Sequence, residues 1–135
     1  MRTRRFLLTC GVLLPVAIAW NAFVHLVVLR ATNASVQHLR RPDLPQKAWL
    51  SLVLAAGIIT VFVWGYGRHA RSGSLREGLG YGLFFALVAG LLVDLNQYVL
   101  FPIPAAVAAQ WFLGGLVEFS LYGIIVTRLY PPRGG

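Results

Sequence analysis

Apolar residues occur in four long runs, separated by short stretches rich in proline, glycine and arginine. The runs cover about residues 6–29, 49–66, 79–101 and 105–129. A helix needs about 20 apolar residues to cross a hydrocarbon core of about 30 Å, and each run is close to that length. Membrane-barrel strands have only about 9–11 residues and alternate apolar with polar positions, unlike these runs. The pattern therefore predicts an all-α transmembrane four-helix up-down bundle, forming a single domain over residues 1–135.

The stretches between the runs contain residues that end and begin helices. Residues 30–48 include two prolines, which oppose a continuous helix, and are expected to form a loop on the outer side. Ser74 and Glu77 match a capping box, so a helix is expected to begin after Ser74. Residues 101–104 also include two prolines, and so short a link predicts an antiparallel hairpin of the third and fourth helices. Residues 131–135 are expected to form a short mobile tail.

The composition is that of a membrane protein. Of the 135 residues, 58% are hydrophobic and 12% are charged, about half the charged share of a typical soluble domain. The single cysteine excludes a disulfide framework. The first run follows three arginines, as a signal peptide would. It continues to Leu29, however, beyond the usual apolar stretch of about 7–15 residues, which predicts an uncleaved helix.

The formal net charge of +8 is distributed around the runs. Because the cations flank apolar segments and do not form one basic face, we expect no nucleic-acid partner. A cytoplasmic N-terminus places eight basic residues inside and four outside, the bias of membrane proteins with both termini inside. The inside set is Arg2, Arg4, Arg5, Arg68, Arg71, Arg76, Arg128 and Arg133, and the outside set is Arg30, Arg40, Arg41 and Lys47. The abundance of Arg over Lys suggests a GC-rich bacterial genome.

Polar residues within the runs are the candidate functional residues, because polar groups are costly in lipid and usually face protein or water. They are expected to form one intramembrane cluster: Asn21, His25, Asp94, Gln97, Gln110 and Glu118. A rise of about 1.5 Å per residue lets His25, Asp94 and Gln110 meet in the outer half of the membrane. Glu118 is expected to lie deeper and more isolated. Both a structural polar contact and a path for protons or a ligand are consistent with this cluster.

Small residues mark the faces on which helices are expected to pack, because they allow close approach. One face of the third run repeats every four residues: Gly82, Ala86, Gly90, Asp94 and Tyr98. One face of the fourth run repeats in the same way, with Gly115 adjacent to it: Gln110, Gly114, Glu118 and Tyr122. Residues four apart share a helix face, so the acids should point towards protein.

No catalytic motif accompanies these residues, and neither a metal site nor a cofactor is predicted. Nucleophile triads, phosphate-binding loops and paired-cysteine motifs do not occur in the sequence. Haem is a weaker alternative, because only His25 of the three histidines lies within a run. A metal held by His25, Asp94 and Glu118 is also weaker, since their spacing matches no known ligand pattern. A redox or quinone-interacting enzyme subunit is a third, less favoured function.

Three segments carry a resemblance to a group of small bacterial four-span inner-membrane proteins. They are the runs at 80–83, 101–104 and 111–118, and the similarity covers mainly residues 79–130. The resemblance implies architecture and an inner-membrane location, and it transfers no activity or catalytic residue. DoxX-type four-span proteins are similar in size alone.

The favoured function is an accessory or helix–helix interaction subunit in the lipid bilayer. Its glycine-lined faces would associate with a second copy or with a larger membrane-protein partner. The alternative is a small proton-coupled transporter that uses Asp94 and Glu118. Because four helices enclose little space, such a transporter is expected to act as an oligomer.

Overall fold

The computed structural model describes residues 2–132, and over these residues the chain is helical with no strand. The helices are α1 (Arg2–Val28), α2 (Arg30–Ser35), α3 (Leu44–His69), α4 (Leu75–Leu100) and α5 (Ala105–Leu129). Of these, α1, α3, α4 and α5 are long and apolar enough to cross a membrane. The predicted all-α class and the four candidate spans are therefore confirmed. Residues 133–135, with Arg133 and most of the predicted tail, lie outside the described part of the chain.

The segment expected to be an outer loop is largely helical. After α2 comes a 3-10 turn, Gln37–Leu39, and α3 already begins at Leu44. Pro45 is compatible with this early start because a proline in the first helical turn lacks only an N–H that has no helical partner. The two prolines of residues 30–48 therefore end one helical segment and open the next.

The start of α4 is fixed by the predicted cap. Ser74 Oγ accepts a hydrogen bond from Glu77 N at 3.2 Å. The Glu77 carboxylate reaches further back and accepts from the backbone N–H groups of Arg71 at 2.6 Å and Gly73 at 2.7 Å. Gly73 has a φ of 65°, a conformation that glycine adopts without steric cost. Capping at Ser74 is thus confirmed, and Glu77 also holds the preceding turn.

Two of the long helices contain a wider π-helical turn that the apolar pattern did not predict. These turns are Val24–Val28 in α1 and Gly90–Asp94 in α4. In the first, Leu29 N donates to Val24 O at 2.7 Å, so the hydrogen bond spans five residues and not the four of an α-helix. Such turns shift every later residue around the helix axis and occur often at functional sites.

Glycines bring α4 and α5 into direct backbone contact. A Cβ on Gly78 would overlap Gly123, and one on Gly82 would overlap the carbonyl of Phe119. The paired residue numbers rise along one helix and fall along the other, so the two helices are antiparallel, as predicted. Gly90 packs against the Phe112 ring and Ala86 is buried. The predicted packing role of Gly82, Ala86 and Gly90 therefore agrees with their positions.

Large side chains fill the space between the helices at one end of the protein, which we call the packed half. It contains the start of α1, the end of α3, the start of α4 and the end of α5, with these buried residues: Leu13, Ile59, Phe62, Val63, Tyr66, Phe119, Tyr122, Val126 and Tyr130. Phe62 is fully buried, with its ring centroid 4.9 Å from that of Tyr81 and 5.2 Å from that of Phe85. Tyr81 OH also donates to Phe62 O at 2.9 Å.

Candidate functional site

The opposite ends of the four long helices line a half-open cavity of about 750 Å³. Its walls come from residues 17–25 of α1, 48–59 of α3, 86–94 of α4 and 111–122 of α5. No residue from 44 to 58 of α3 is buried, although Lys47, Ala55 and Ala56 are half-buried. We call this end of the protein the cavity half.

Glu118 lies in the wall of the cavity and is held by two neighbours. Its Oε1 accepts a hydrogen bond from Asn21 Nδ2 at 2.7 Å and another from the Tyr122 hydroxyl. The Asn21 amide also donates to Ala17 O at 2.9 Å, which fixes its orientation. The expectation that Glu118 is isolated is therefore wrong, because α1 supplies a donor from across the cavity.

Asp94 lies at the end of the π-helical turn of α4 and lines the same cavity. Its side chain faces Gly115, where an added Cβ would lie 3.7 Å from Asp94 Oδ2. Within residues 2–132, no group donates a hydrogen bond to this carboxyl. The cavity extends along 12 residues of α3, and the 11 steps between them give about 16 Å at 1.5 Å per residue, so it includes both acids despite their different depths.

His25 is bound to a residue that the sequence pattern did not single out. Asn33 Nδ2 lies 3.1 Å from His25 Nδ1 and 3.1 Å from His25 O. The Asn33 oxygen accepts from Trp111 Nε1 at 2.9 Å, and Asn33 is buried. His25 and Asp94 line the same cavity, Gln110 does not, and the bonded partner of the His25 ring is Asn33.

The two glutamines of the predicted cluster lie outside the main cavity. Gln110 Oε1 accepts a hydrogen bond from Thr32 Oγ1 at 2.7 Å, which joins α2 to α5. Gln97 lines a second, smaller cavity of about 120 Å³ that also includes Arg40. The repeat every four residues predicted that Tyr98 shares a helix face with Asp94, yet Tyr98 is 53% exposed. The π-helical turn before Leu95 explains this, because it rotates the end of α4 about the helix axis.

Gly114 and Gly115 line the cavity and do not form a tight helix contact. An added Cβ on Gly114 would lie 3.6 Å from Val24, an ordinary contact distance. Gly82 and Gly90 on the neighbouring helix make close contacts, whereas Gly114 and Gly115 leave space open in the cavity.

The lining combines acids with aromatic and aliphatic groups. Among residues 2–132, its lining has two acids, Asp94 and Glu118, and one basic residue, His25, with neither Lys nor Arg. No group of three His, Cys, Asp or Glu side chains suited to a metal lies within residues 2–132. The cavity can therefore hold protons or a positively charged group beside an apolar surface.

Comparisons of the chain with protein-family models, curated proteins and solved structures give no match. The resemblance to small four-span membrane proteins stays a prediction.

Proposed function

We propose that this protein is a multi-pass protein of the bacterial cytoplasmic membrane, an up-down bundle with both termini in the cytoplasm. Four helices of sufficient length and hydropathy support it, as does the eight-to-four bias of basic residues. In a Cys10→Ala background, Ser72→Cys should react with an impermeant thiol reagent from the cytoplasmic side only. Ser35→Cys should react from the outer side only, and the reverse labelling would contradict the orientation.

We propose further that the protein acts as a small proton-coupled transporter. The observation that carries this proposal is the cavity of about 750 Å³ that contains both intramembrane acids, Asp94 and Glu118. Sites for small ligands typically have about 300–1,000 Å³. Carboxyl groups within membrane spans are costly and commonly serve proton relays, which gives the two acids a function beyond packing.

The incomplete α3 wall supports an oligomeric carrier. None of residues 44–58 of α3 is fully buried. A second copy packed on this segment would close the cavity towards lipid and supply the enclosed space that a single chain of this size lacks.

Proton flux into proteoliposomes carrying an internal pH indicator tests the transporter directly. We would add small amphipathic compounds of three kinds, namely cationic, neutral and anionic. At least one kind should drive proton flux through the wild type, and the double variant Asp94→Asn, Glu118→Gln should abolish it. Asp43→Asn is the matched control, because Asp43 is an exposed carboxyl ion-paired with Arg41 outside the cavity. Absence of flux with all three kinds, or unchanged flux in the double variant, would contradict the proposal.

An accessory subunit is the second candidate, and the unpartnered segment 44–58 of α3 favours it too. The glycine face of α4 gives no support to an accessory role, because Gly78 and Gly82 are already packed against α5. The mass of the protein extracted with its native lipids separates the two functions. A homo-oligomer supports the transporter, and a stoichiometric complex with a different membrane protein supports the accessory subunit.

A further inference from the structure

We infer that the cavity binds an amphipathic organic cation, with its charged group beside Asp94 and Glu118 and its apolar body along α3. This inference rests on the proposed function and names the substrate class of the same cavity. It follows from the charge of the lining, from its volume and surface, and from the exposure of α3 along the cavity.

The charge of the lining is opposite to that of the protein. The chain carries a formal net charge of +8, yet within residues 2–132 neither Lys nor Arg lines the cavity, and two of the chain's four acids do. His25 is the basic group there, and its Nδ1 lies 3.1 Å from the amide nitrogen of Asn33. A positive group is therefore the complement that the cavity itself does not supply.

No cation from the described part of the chain pairs with these two acids. Between residues 2 and 132, the ion pairs join Asp43 to Arg41 and to Lys47, at the start of α3. An ionised carboxylate in a low-dielectric interior is stable only when it is paired or well hydrogen-bonded. Glu118 has two donors, whereas Asp94 has none from the described residues. Asp94 is accordingly the group from which a bound cation gains most.

The volume and surface of the cavity exclude a bare ion as its main occupant. A proton or a metal ion needs only a few ligand atoms, but about 750 Å³ matches a small organic molecule. Trp20, Trp111 and Phe119 contribute aromatic rings to the lining. Aromatic faces attract organic cations, so these rings favour a ligand whose positive charge is attached to hydrocarbon.

The exposure of α3 along the cavity favours a ligand that arrives from the bilayer. Along residues 44–58, α3 has no buried residue, and its cavity-facing side is made of small and apolar residues such as Ala48, Ser51 and Ala55. A molecule dissolved in the membrane can enter beside this helix without unpacking the aromatic core at the other end. Amphipathic cations concentrate in that region of a bilayer, whereas hydrophilic solutes do not.

Two probes with the same body and opposite charge test the inference. Tetraphenylphosphonium and tetraphenylborate each present four phenyl groups, and their binding to the full-length protein can be measured calorimetrically in phosphatidylcholine nanodiscs, with empty nanodiscs as the reference. We expect saturable binding of tetraphenylphosphonium, at least about tenfold tighter than that of tetraphenylborate. Loss of a charged contact predicts roughly tenfold to hundredfold weaker binding in Asp94→Asn. Asp43→Asn should bind like the wild type.

Several results would overturn the inference. They are equal or tighter binding of tetraphenylborate, unchanged affinity in Asp94→Asn, or no saturable binding of tetraphenylphosphonium because lipid chains fill the cavity. The first two comparisons need only a folded Asp94→Asn variant and the wild type, and within residues 2–132 Asp94 makes no side-chain hydrogen bond whose loss would disturb folding. If a neutral or anionic compound drives proton flux, this inference fails while the transporter stands; absence of flux with every compound rejects the transporter itself.

Discussion

The two ends of this helical protein use the same four helices for opposite purposes. In the packed half, Phe62 and Val63 of α3 are fully buried among aromatic rings from α4 and α5. In the cavity half, the preceding residues 44–58 of the same helix are exposed or half-buried, and several of them line the open space beside them. A membrane helix can therefore be an anchor at one end and a cavity wall at the other, according to the side chains at each level.

Side-chain size explains the difference. The packed half places large rings such as Tyr66, Tyr81 and Phe85 between the helices, and these fill the space. In the cavity half, small residues stand at the facing positions, among them Ala55 and Gly115. Small residues allow close approach only where a neighbouring helix comes near, as on α4 at Gly82. Where no neighbour does, the same residue type leaves a cavity.

The largest expected effect is at the centre of the packed half. Phe62→Ala removes a ring with zero exposure from contact with four other aromatic rings. The unfolding free energy in detergent should fall by about 3–5 kcal/mol, the cost of a large core truncation. Leu92→Ala is the matched control, because Leu92 is 69% exposed and its loss should change stability by less than about 0.5 kcal/mol. Equal effects of the two variants would contradict the assignment of the core.

A smaller effect is expected where α4 and α5 touch. Gly82→Ala adds a Cβ that overlaps the backbone carbonyl of Phe119, so the helices must separate, at a cost of about 2 kcal/mol. Gly80→Ala is made two residues earlier into open space, and should raise stability by up to about 1 kcal/mol because alanine favours helix. Thermal unfolding of both variants measures the difference in stability. A destabilised Gly80→Ala with a neutral Gly82→Ala would contradict the contact of Gly82 with α5.

Adding the same ring at two levels of α3 sharpens the comparison further. Val63→Phe overfills the packed half and should cost about 1–2 kcal/mol. Ala55→Phe projects a ring into the cavity and should change stability by less than about 1 kcal/mol, while excluding tetraphenylphosphonium. If Ala55→Phe were as destabilising as Val63→Phe, the cavity half would be as densely packed as the core.

The smallest effect concerns the polar segment before α3. The hydrogen bond from Arg41 lowers the pKa of Asp43 below its ordinary value, with a further contribution from Lys47. A carboxyl whose pKa is lower in the folded state stabilises the protein above its unfolded pKa, and this contribution is lost as pH falls through the folded pKa. Asp43→Asn should therefore lower the melting temperature slightly at neutral pH and leave it unchanged at the acid end. A constant difference at all pH values would contradict this ion pair.

The sequence predicts the parts of this structure that depend on single helices. Length and hydropathy are enough to locate the four long helices, and the spacing of Glu118 and Tyr122 by one turn predicts their contact. Ser74 caps α4 for the same local reason.

Features that depend on how helices shift and separate could not be predicted in this way. The contact of His25 with Asn33 crosses the break after Val28, where helical periodicity ends, so no spacing rule links them. The π-helical turn Gly90–Asp94 is closed by a hydrogen bond from the Leu95 N–H to Gly90 O, five residues earlier. The spacing of apolar residues does not predict such a widened turn. The cavity itself results from the distance between α3 and its neighbours, which is a property of the whole packing.

Fluorine NMR of the protein labelled with 5-fluorotryptophan tests most directly whether a cation binds in the cavity between the helices. Trp20 and Trp111 line the cavity, whereas Trp49 and Trp64 do not and are 60% and 56% exposed. On addition of tetraphenylphosphonium in nanodiscs, the resonances of Trp20 and Trp111 should shift saturably while those of Trp49 and Trp64 follow only the nonspecific drift. Equal shifts of all four tryptophans, or shifts confined to Trp49 and Trp64, would contradict a cation-binding cavity between the helices.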